Sequence, residues 1–166
     1  MITIRFFIIL FCFIFFGLSL NGQQSGGSDK SISLVFYIGE DENNYEKLVQ
    51  KYNTMLFTVC NNNMELAFDN WTVLLKDLED FAAKSNIDLK GVKLWLNVFW
   101  DKDGTIDHLV FYPKPNSRNM NYDNVKALLI NFAKSYQSPL KYSTRFSHYG
   151  SAAFPVFSRS MIGPEK

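Results

Sequence analysis

The stretch Val92-Lys-Leu-Trp-Leu-Asn-Val-Phe-Trp100, Asp101-Lys-Asp-Gly104, Thr105-Ile-Asp-His-Leu-Val-Phe-Tyr112 decides the fold. Both arms are rich in β-branched and aromatic residues, which are enriched in strands. Between them, Asp103-Gly104 supplies the positive φ angles that a tight turn between twisted strands requires. The stretch therefore predicts a β-hairpin with arms at residues 92–100 and 106–112.

Two further strands are predicted outside the hairpin. Apolar residues alternate with a period of two over residues 32–38, and again over residues 140–148. This period is typical of strands. We expect Gly150-Ser151-Ala152-Ala153 to bend the chain after the last strand, and residues 154–157 to form a final extended piece.

Three helices are predicted from apolar residues spaced three and four apart, at residues 42–60, 64–84 and 122–136. Asn61-Asn62-Asn63 separates the first two, because three poor helix formers in a row favour a break. The order of elements predicts one α+β domain over residues 32–166. In it, helices pack on one face of a small, mainly antiparallel sheet.

The N-terminus has the pattern of a signal peptide. Arg5 is followed by fifteen uncharged residues, 6–20, and then by small or polar ones, which predicts a signal peptide over residues 1–22. The alternative is an uncleaved anchor, but fifteen helical residues span about 22 Å, less than the ~30 Å hydrocarbon core. We expect export to the periplasm or the extracellular space, a flexible linker over residues 23–31, and no stable membrane anchor after cleavage.

Charge and cysteine content narrow the classes of partner. Without residues 1–22 the chain keeps 16 basic and 16 acidic residues, which argues against nucleic acid or an anionic membrane as a partner. Only Cys60 would remain, so an intramolecular disulfide is excluded. Because no Lys, Arg or His lies within four residues of it, the sequence favours a buried apolar role for Cys60 over a reactive thiol or an intermolecular bridge.

The acidic turn and the two histidines are the candidates for metal or catalytic chemistry. In a calcium loop centred on Gly104, the first and twelfth ligand positions would fall on Phe99 and Val110, which are apolar. His108 and His148 lie on different predicted strands, without a Gly-x-Ser-x-Gly or His-Glu-x-x-His motif. The sequence therefore indicates no metal site and no cofactor, and it favours a non-catalytic role.

Aromatic residues on the hairpin suggest a recognition surface. Trp95 and Phe99 share the face of the first arm opposite Leu94, Leu96 and Val98. If helices cover only one face, these two side chains meet another part of the chain, a partner or water. Together with Tyr112 they would then form an exposed aromatic patch.

The second half of the chain resembles the C-terminal domain of the TonB family over about residues 70–157. The matching pieces are residues 71–81, 92–100, the Asp101-Lys-Asp-Gly104 turn, 106–112, 124–136 and 140–157, with Phe154-Pro-Val-Phe157 as the apolar end. The resemblance would also imply a role as an energy transducer, which needs a long spacer. The nine-residue linker predicted here reaches at most about 32 Å. The resemblance therefore implies a TonB-like fold that works as a stand-alone exported module.

The leading functional hypothesis is a module that binds an envelope protein or peptide by adding a strand to a sheet edge, as the resemblance implies. The predicted edge is the strand over residues 140–148, with Arg145, Phe146 and His148 as binding residues.

Two alternatives stay open. One is a small secreted hydrolase or ligand-binding protein that uses His148 with Ser147 or Tyr149. The other is an envelope protein whose aromatic face forms a homodimer.

Overall fold

A computed structural model of the protein describes residues 32–157. The predicted signal peptide and linker lie outside the described residues, as do residues 158–166. The elements follow in the order β1 (Val35–Tyr37), α1 (Glu42–Lys51), β2 (Thr54–Met55), α2 (Leu56–Val59), α3 (Met64–Lys84), β3 (Lys93–Trp100), β4 (Ile106–Pro113), α4 (Tyr122–Ser135) and β5 (Phe146–Ala153). The predicted α+β class is confirmed. None of the helices in this part of the chain is long and apolar enough to cross a membrane.

The five strands form one mixed sheet in the order β1-β4-β3-β5-β2. The long strand β3 lies at the centre, antiparallel to β4 on one side and to β5 on the other. The short strands β1 and β2 lie at the two ends, parallel to β4 and β5 respectively. The prediction of a mainly antiparallel sheet is therefore right only for the three long strands. No hairpin turn dictates the direction of β1 or β2.

The predicted hairpin is confirmed, and its acidic residues serve the turn. Gly104 has a φ of +90° and donates its N–H to the carbonyl oxygen of Asp101 at 3.0 Å. The Asp103 carboxylate accepts hydrogen bonds from the hydroxyl and the N–H of Thr105, at 2.7 and 2.9 Å, and these bonds lower the pKa of Asp103. Among residues 32–157, no group of three or more His, Cys, Asp or Glu side chains is placed to hold a metal ion.

The predicted first helix is divided, whereas the next two match their predicted bounds within one residue. Helix α1 ends at Lys51, and β2 and the one-turn helix α2 follow it. Asn61 and Asn62 take left-handed backbone angles, with φ of +56° and +57°. The side chain of Asn63 then caps α3 by accepting the N–H of Leu66 at 2.9 Å. The predicted break at the three asparagines is thus confirmed.

Helices cover both faces of the sheet, so the prediction of a single covered face is wrong. Helices α3 and α4 pack on one face in the main core, which includes Leu96, Val98 and Phe111. Helix α1 packs on the other face, where Leu48 and its C-cap residue Tyr52 join a second core. The apolar spacing of α1 runs in phase with that of α3, but β2 separates the two helices and lets them lie on opposite faces.

The last strand lies further along the chain than predicted. It spans Phe146–Ala153, and residues 140–145 are outside it. Gly150 lies within the strand, not at a bend. A Cβ atom at this position would come within 2.8 Å of the Trp71 ring and 2.9 Å of His148 Nε2. The close approach of α3 therefore explains why this position holds glycine, which has no Cβ atom.

Cys60 is buried within the main core. Burial raises the pKa of its thiol, which opposes formation of the reactive thiolate. The environment of Cys60 is consistent with a small apolar side chain.

Candidate functional site

The face of the sheet beneath α1 is only partly covered. Phe99 is fully buried there, and its ring packs edge-on against Tyr52 at a centroid distance of 5.2 Å. The hydroxyl of Tyr45 in α1 accepts a hydrogen bond from Asn97 Nδ2 at 3.3 Å. Trp95, which precedes Asn97 by two residues on β3, is 36% exposed. The expectation that Phe99 belongs to an exposed patch is therefore wrong, whereas Trp95 remains accessible.

The uncovered part of this face carries an aromatic cluster. Tyr112 lies opposite Trp95 on β4, and Ser151 lies opposite it on β5. Tyr149 stacks with Trp95 at a centroid distance of 5.5 Å and an interplanar angle of 18°. Lys114 Nζ lies 3.8 Å from the centroid of the Trp95 ring. We call these five residues the Trp95 patch. It retains two predicted site residues, Trp95 and Tyr112.

Beside the patch, β5 has an edge that is only partly paired. Strand β2 pairs with Phe146 and Ser147, the first two residues of β5, through Thr54 and Met55. Beyond them, no strand within residues 32–157 pairs with β5 on that side. The shortness of β2 leaves the rest of this edge without a strand partner, because the chain turns after Met55 into α2, which lies next to β5. We call this unpaired part of β5 the open edge.

The open edge presents the backbone groups of three residues. Phe154, just after β5, donates its N–H toward the β3 side, to the carbonyl oxygen of Val92 at 3.0 Å. Because backbone groups alternate in direction along a strand, Tyr149, Ser151 and Ala153 turn their N–H and C=O groups away from β3. All three residues are exposed.

One of these groups is already occupied. Trp71 in α3 donates its indole N–H to the carbonyl oxygen of Ser151 at 3.1 Å. This bond holds α3 beside the edge and leaves the N–H of Ser151 available. The open segment is thus a short strand edge, bordered by the Trp95 patch on one face and by α3 on the other.

At the opposite edge of the sheet, a turn blocks the outward backbone groups of Tyr37. Glu40 donates its N–H to the carbonyl oxygen of Tyr37 in β1 at 3.0 Å, and its carboxylate accepts the N–H of Tyr37 at 3.2 Å. Lys126 in α4 holds the same carboxylate at 2.8 Å. The hydrogen bond from Lys126 is the main cause that lowers the pKa of Glu40. This is one of the ways in which proteins block a strand edge.

The structure places the predicted edge residues Arg145 and Phe146 away from the unpaired part of β5. Phe146 is fully buried and stacks on Trp100 at 5.1 Å. Arg145 lies before the strand, where its Nε is 3.0 Å from Asp101 and 3.5 Å from Asp107. Neither residue therefore lies on an unpaired strand edge, because the strand begins at Phe146 and β2 occupies the edge at that point.

His148 lies on the opposite face of the sheet from its two proposed catalytic partners. Its ring packs against Trp71 at 4.6 Å, on the face covered by α3. Ser147 and Tyr149 point to the other face, because successive strand residues alternate. Ser147 Oγ donates instead to the carbonyl oxygen of Tyr52 at 2.8 Å. The structure therefore does not bring His148 together with Ser147 or Tyr149.

Burial of His148 makes a testable contribution to pH-dependent stability. Burial lowers the pKa of His148 below its ordinary value of 6.5. As the pH falls through 6.5, the unfolded chain takes up a proton before the folded one does, so stability falls. Between pH ~7.5 and ~5.5 we expect the free energy of unfolding to decline by up to about 1.4 kcal/mol per pH unit from this group. Urea unfolding should show a shallower decline in His148→Gln, and equal slopes in both proteins would contradict this origin.

Two surface cavities lie away from the open edge and the Trp95 patch, at the end of α3. Their volumes are about 440 and 550 Å³, and both are lined by Asn86, Ile87 and Asp88. No site residue predicted from the sequence lines either cavity. The nearby ion pair between Arg118 and Asp88, at 2.9 Å, is exposed. The candidate site is therefore the edge of β5 with the Trp95 patch.

Lys114, Ser151 and Trp71 are the site residues that sequence reasoning missed. The hairpin register places Lys114 two residues beyond Tyr112, but nothing in the sequence indicates that its side chain reaches β5. Ser151 was predicted to lie in a bend, and Trp71 was assigned only to the apolar face of a helix.

Comparisons with known proteins give no match, whether with protein-family models, with curated proteins or with solved structures.

Proposed function

We propose that the protein is an exported, non-catalytic module that binds an extended segment of an envelope protein or peptide. The segment would add as a strand to the edge of β5 at Tyr149, Ser151 and Ala153. One observation carries this proposal, namely the open edge that lies directly beside the exposed Trp95 patch.

The two parts of the site would supply different components of the binding energy. Each new backbone hydrogen bond contributes on the order of 1 kcal/mol, and these bonds do not depend on peptide sequence. Alternate side chains of an added strand point to one face, which here carries the rings of Trp95 and Tyr149. Contact with these rings would give the site its preference among peptides.

Two features of the sequence support the proposal. The apolar N-terminal segment favours export, since residues 1–22 have the pattern of a signal peptide. The order α3, β3, β4, α4, β5 follows the order of elements on which the resemblance to the TonB C-terminal domain rests. The same resemblance implies strand addition.

Amide hydrogen exchange tests the proposal directly. In the free protein we expect the amides of Tyr149, Ser151 and Ala153 to exchange at least about tenfold faster than those of Gly150 and Ala152, which face β3. Eight-residue peptides selected from a random display library should slow the exposed set. Strand addition would be contradicted if a selected peptide slowed exchange only at other amides, or if no selected peptide slowed exchange at any amide. Protection that grows with protein concentration alone would instead indicate a homodimer.

A proline substitution gives a second test. Ser151→Pro removes one outward N–H, and proline is tolerated on an edge strand where that N–H faces solvent. We expect selected peptides to bind at least about fivefold more weakly, which corresponds to the loss of one hydrogen bond. Ser151→Ala is the matched control, because it removes the hydroxyl and keeps the N–H. Equal affinity of the proline and alanine variants would contradict the proposal.

A further inference from the structure

The Lys114 side chain spans three strands of the sheet. Its backbone N–H donates to the carbonyl oxygen of Lys93 at 2.9 Å, just beyond the end of β4. The side chain then crosses β3 over the Trp95 ring, 3.8 Å from its centroid. Its ammonium group ends on β5, where it donates to Ser151 Oγ at 2.7 Å. The positive charge is thus placed beside the open edge, although Lys114 directly follows β4, which lies two strands away from β5.

This charge has no carboxylate partner in the part of the chain that the structure describes. The ion pairs within residues 32–157 use Arg118, Lys126 and Arg145 as cations, and Lys114 is in none of them. The ammonium carries three N–H donors, and the described contacts are one hydroxyl and one aromatic face. An anion approaching along the edge would therefore meet an ammonium that is held in position and that no carboxylate within residues 32–157 neutralises.

We propose that the peptide bound at the β5 edge carries an aspartate or glutamate opposite Ser151, whose carboxylate pairs with Lys114. This inference rests on the proposed function. Residues opposite each other on one face of paired strands have Cβ atoms about 4.5–5.5 Å apart. Since the ammonium already contacts Ser151 Oγ, a carboxylate at the opposite position lies within its reach. The site selects an acidic residue at one position of an extended peptide.

A lysine charge at a sheet edge can also prevent unwanted strand pairing, and we call this role a guard. A guard and a binding residue lead to opposite expectations. If Lys114 only guards the edge, its removal strengthens the binding of every peptide and promotes self-association. If Lys114 selects an acidic residue, its removal weakens only those peptides that carry a carboxylate opposite Ser151.

The probe is an eight-residue peptide selected from a display library that lacks Asp and Glu. It is then synthesised with Glu, or with Gln as the uncharged match, at each position in turn. In the wild-type protein we expect one position at which Glu binds about two- to fivefold more tightly than Gln, as for an exposed ion pair. High salt should remove this advantage, because the pair is solvent-accessible.

The variant Lys114→Met should abolish the preference for Glu while the Gln peptide binds as before. Lys93→Met is the matched control, since it removes a neighbouring charge on β3 and should leave the preference intact. Equal binding of the Glu and Gln peptides to the wild-type protein would overturn the inference and leave the proposed function standing. Tighter binding of all peptides to Lys114→Met would assign the guard role instead. If no peptide binds at any position, the proposed function fails as well.

Discussion

Replacement of Phe99 by alanine is expected to lower the free energy of unfolding by about 3–5 kcal/mol, as for other buried phenylalanines. The ring is fully buried beneath α1, in the second core with Phe36, Leu48 and Val110. Its removal would leave a cavity that α1 cannot fill without moving. Urea unfolding followed by tryptophan fluorescence measures the loss.

The matched control is Trp95→Ala, on the same face of the same strand. Trp95 is 36% exposed, and its neighbours are the surface groups of Tyr149 and Lys114. We expect a loss of about 1 kcal/mol, together with weaker binding of selected peptides. Comparable losses in the two variants would mean that Trp95 is a core residue, which would contradict its assignment to a binding surface.

Replacement of Gly104 by alanine is expected to cost about 2–5 kcal/mol of stability. Two causes act together. The φ of +90° is unfavourable for a residue with a side chain. In addition, a Cβ atom would lie 2.6 Å from the carbonyl oxygens of Ser138 and Leu140, so the backbone has to move. Chemical unfolding at neutral pH measures the cost.

Gly39→Ala is the control for the first cause alone. Gly39 has a φ of +101°, but a Cβ atom there would meet nothing within 4 Å. Only the backbone strain should appear, at about 1–2 kcal/mol. If both variants lose the same amount, the approach of the Cβ atom to Ser138 and Leu140 costs nothing, which would contradict the second cause.

The local elements were predictable because their causes are local. The Asp103-Gly104 turn between two β-rich arms indicated the hairpin, and the spacing of apolar residues indicated α3 and α4. The cap of α3 is equally local, since the Asn63 side chain accepts the N–H of Leu66 only three residues away. The division of the first predicted helix escaped notice, because helix, short strand and helical turn all bury their apolar residues at compatible spacings.

The candidate site was predictable only in part. Trp95 and Tyr112 could be placed on one face from the sequence, because the hairpin alone determines their face and their register. Phe99 satisfies the same pattern, yet α1 covers it and leaves Trp95 uncovered. Nothing local to β3 distinguishes the two aromatic residues.

By itself, the sequence determined the α+β class, the hairpin with its turn, and the bounds of α3 and α4, because propensity and periodicity act within a few residues. Only the tertiary structure decided which aromatic side chains are exposed, which sheet edge is open and where the Lys114 charge lies. These features depend on contacts between distant segments, such as Trp71 with Ser151, 80 residues apart, and Lys114 with Ser151, 37 residues apart. Such contacts form only when the whole sheet assembles, so short-range patterns carry no record of them.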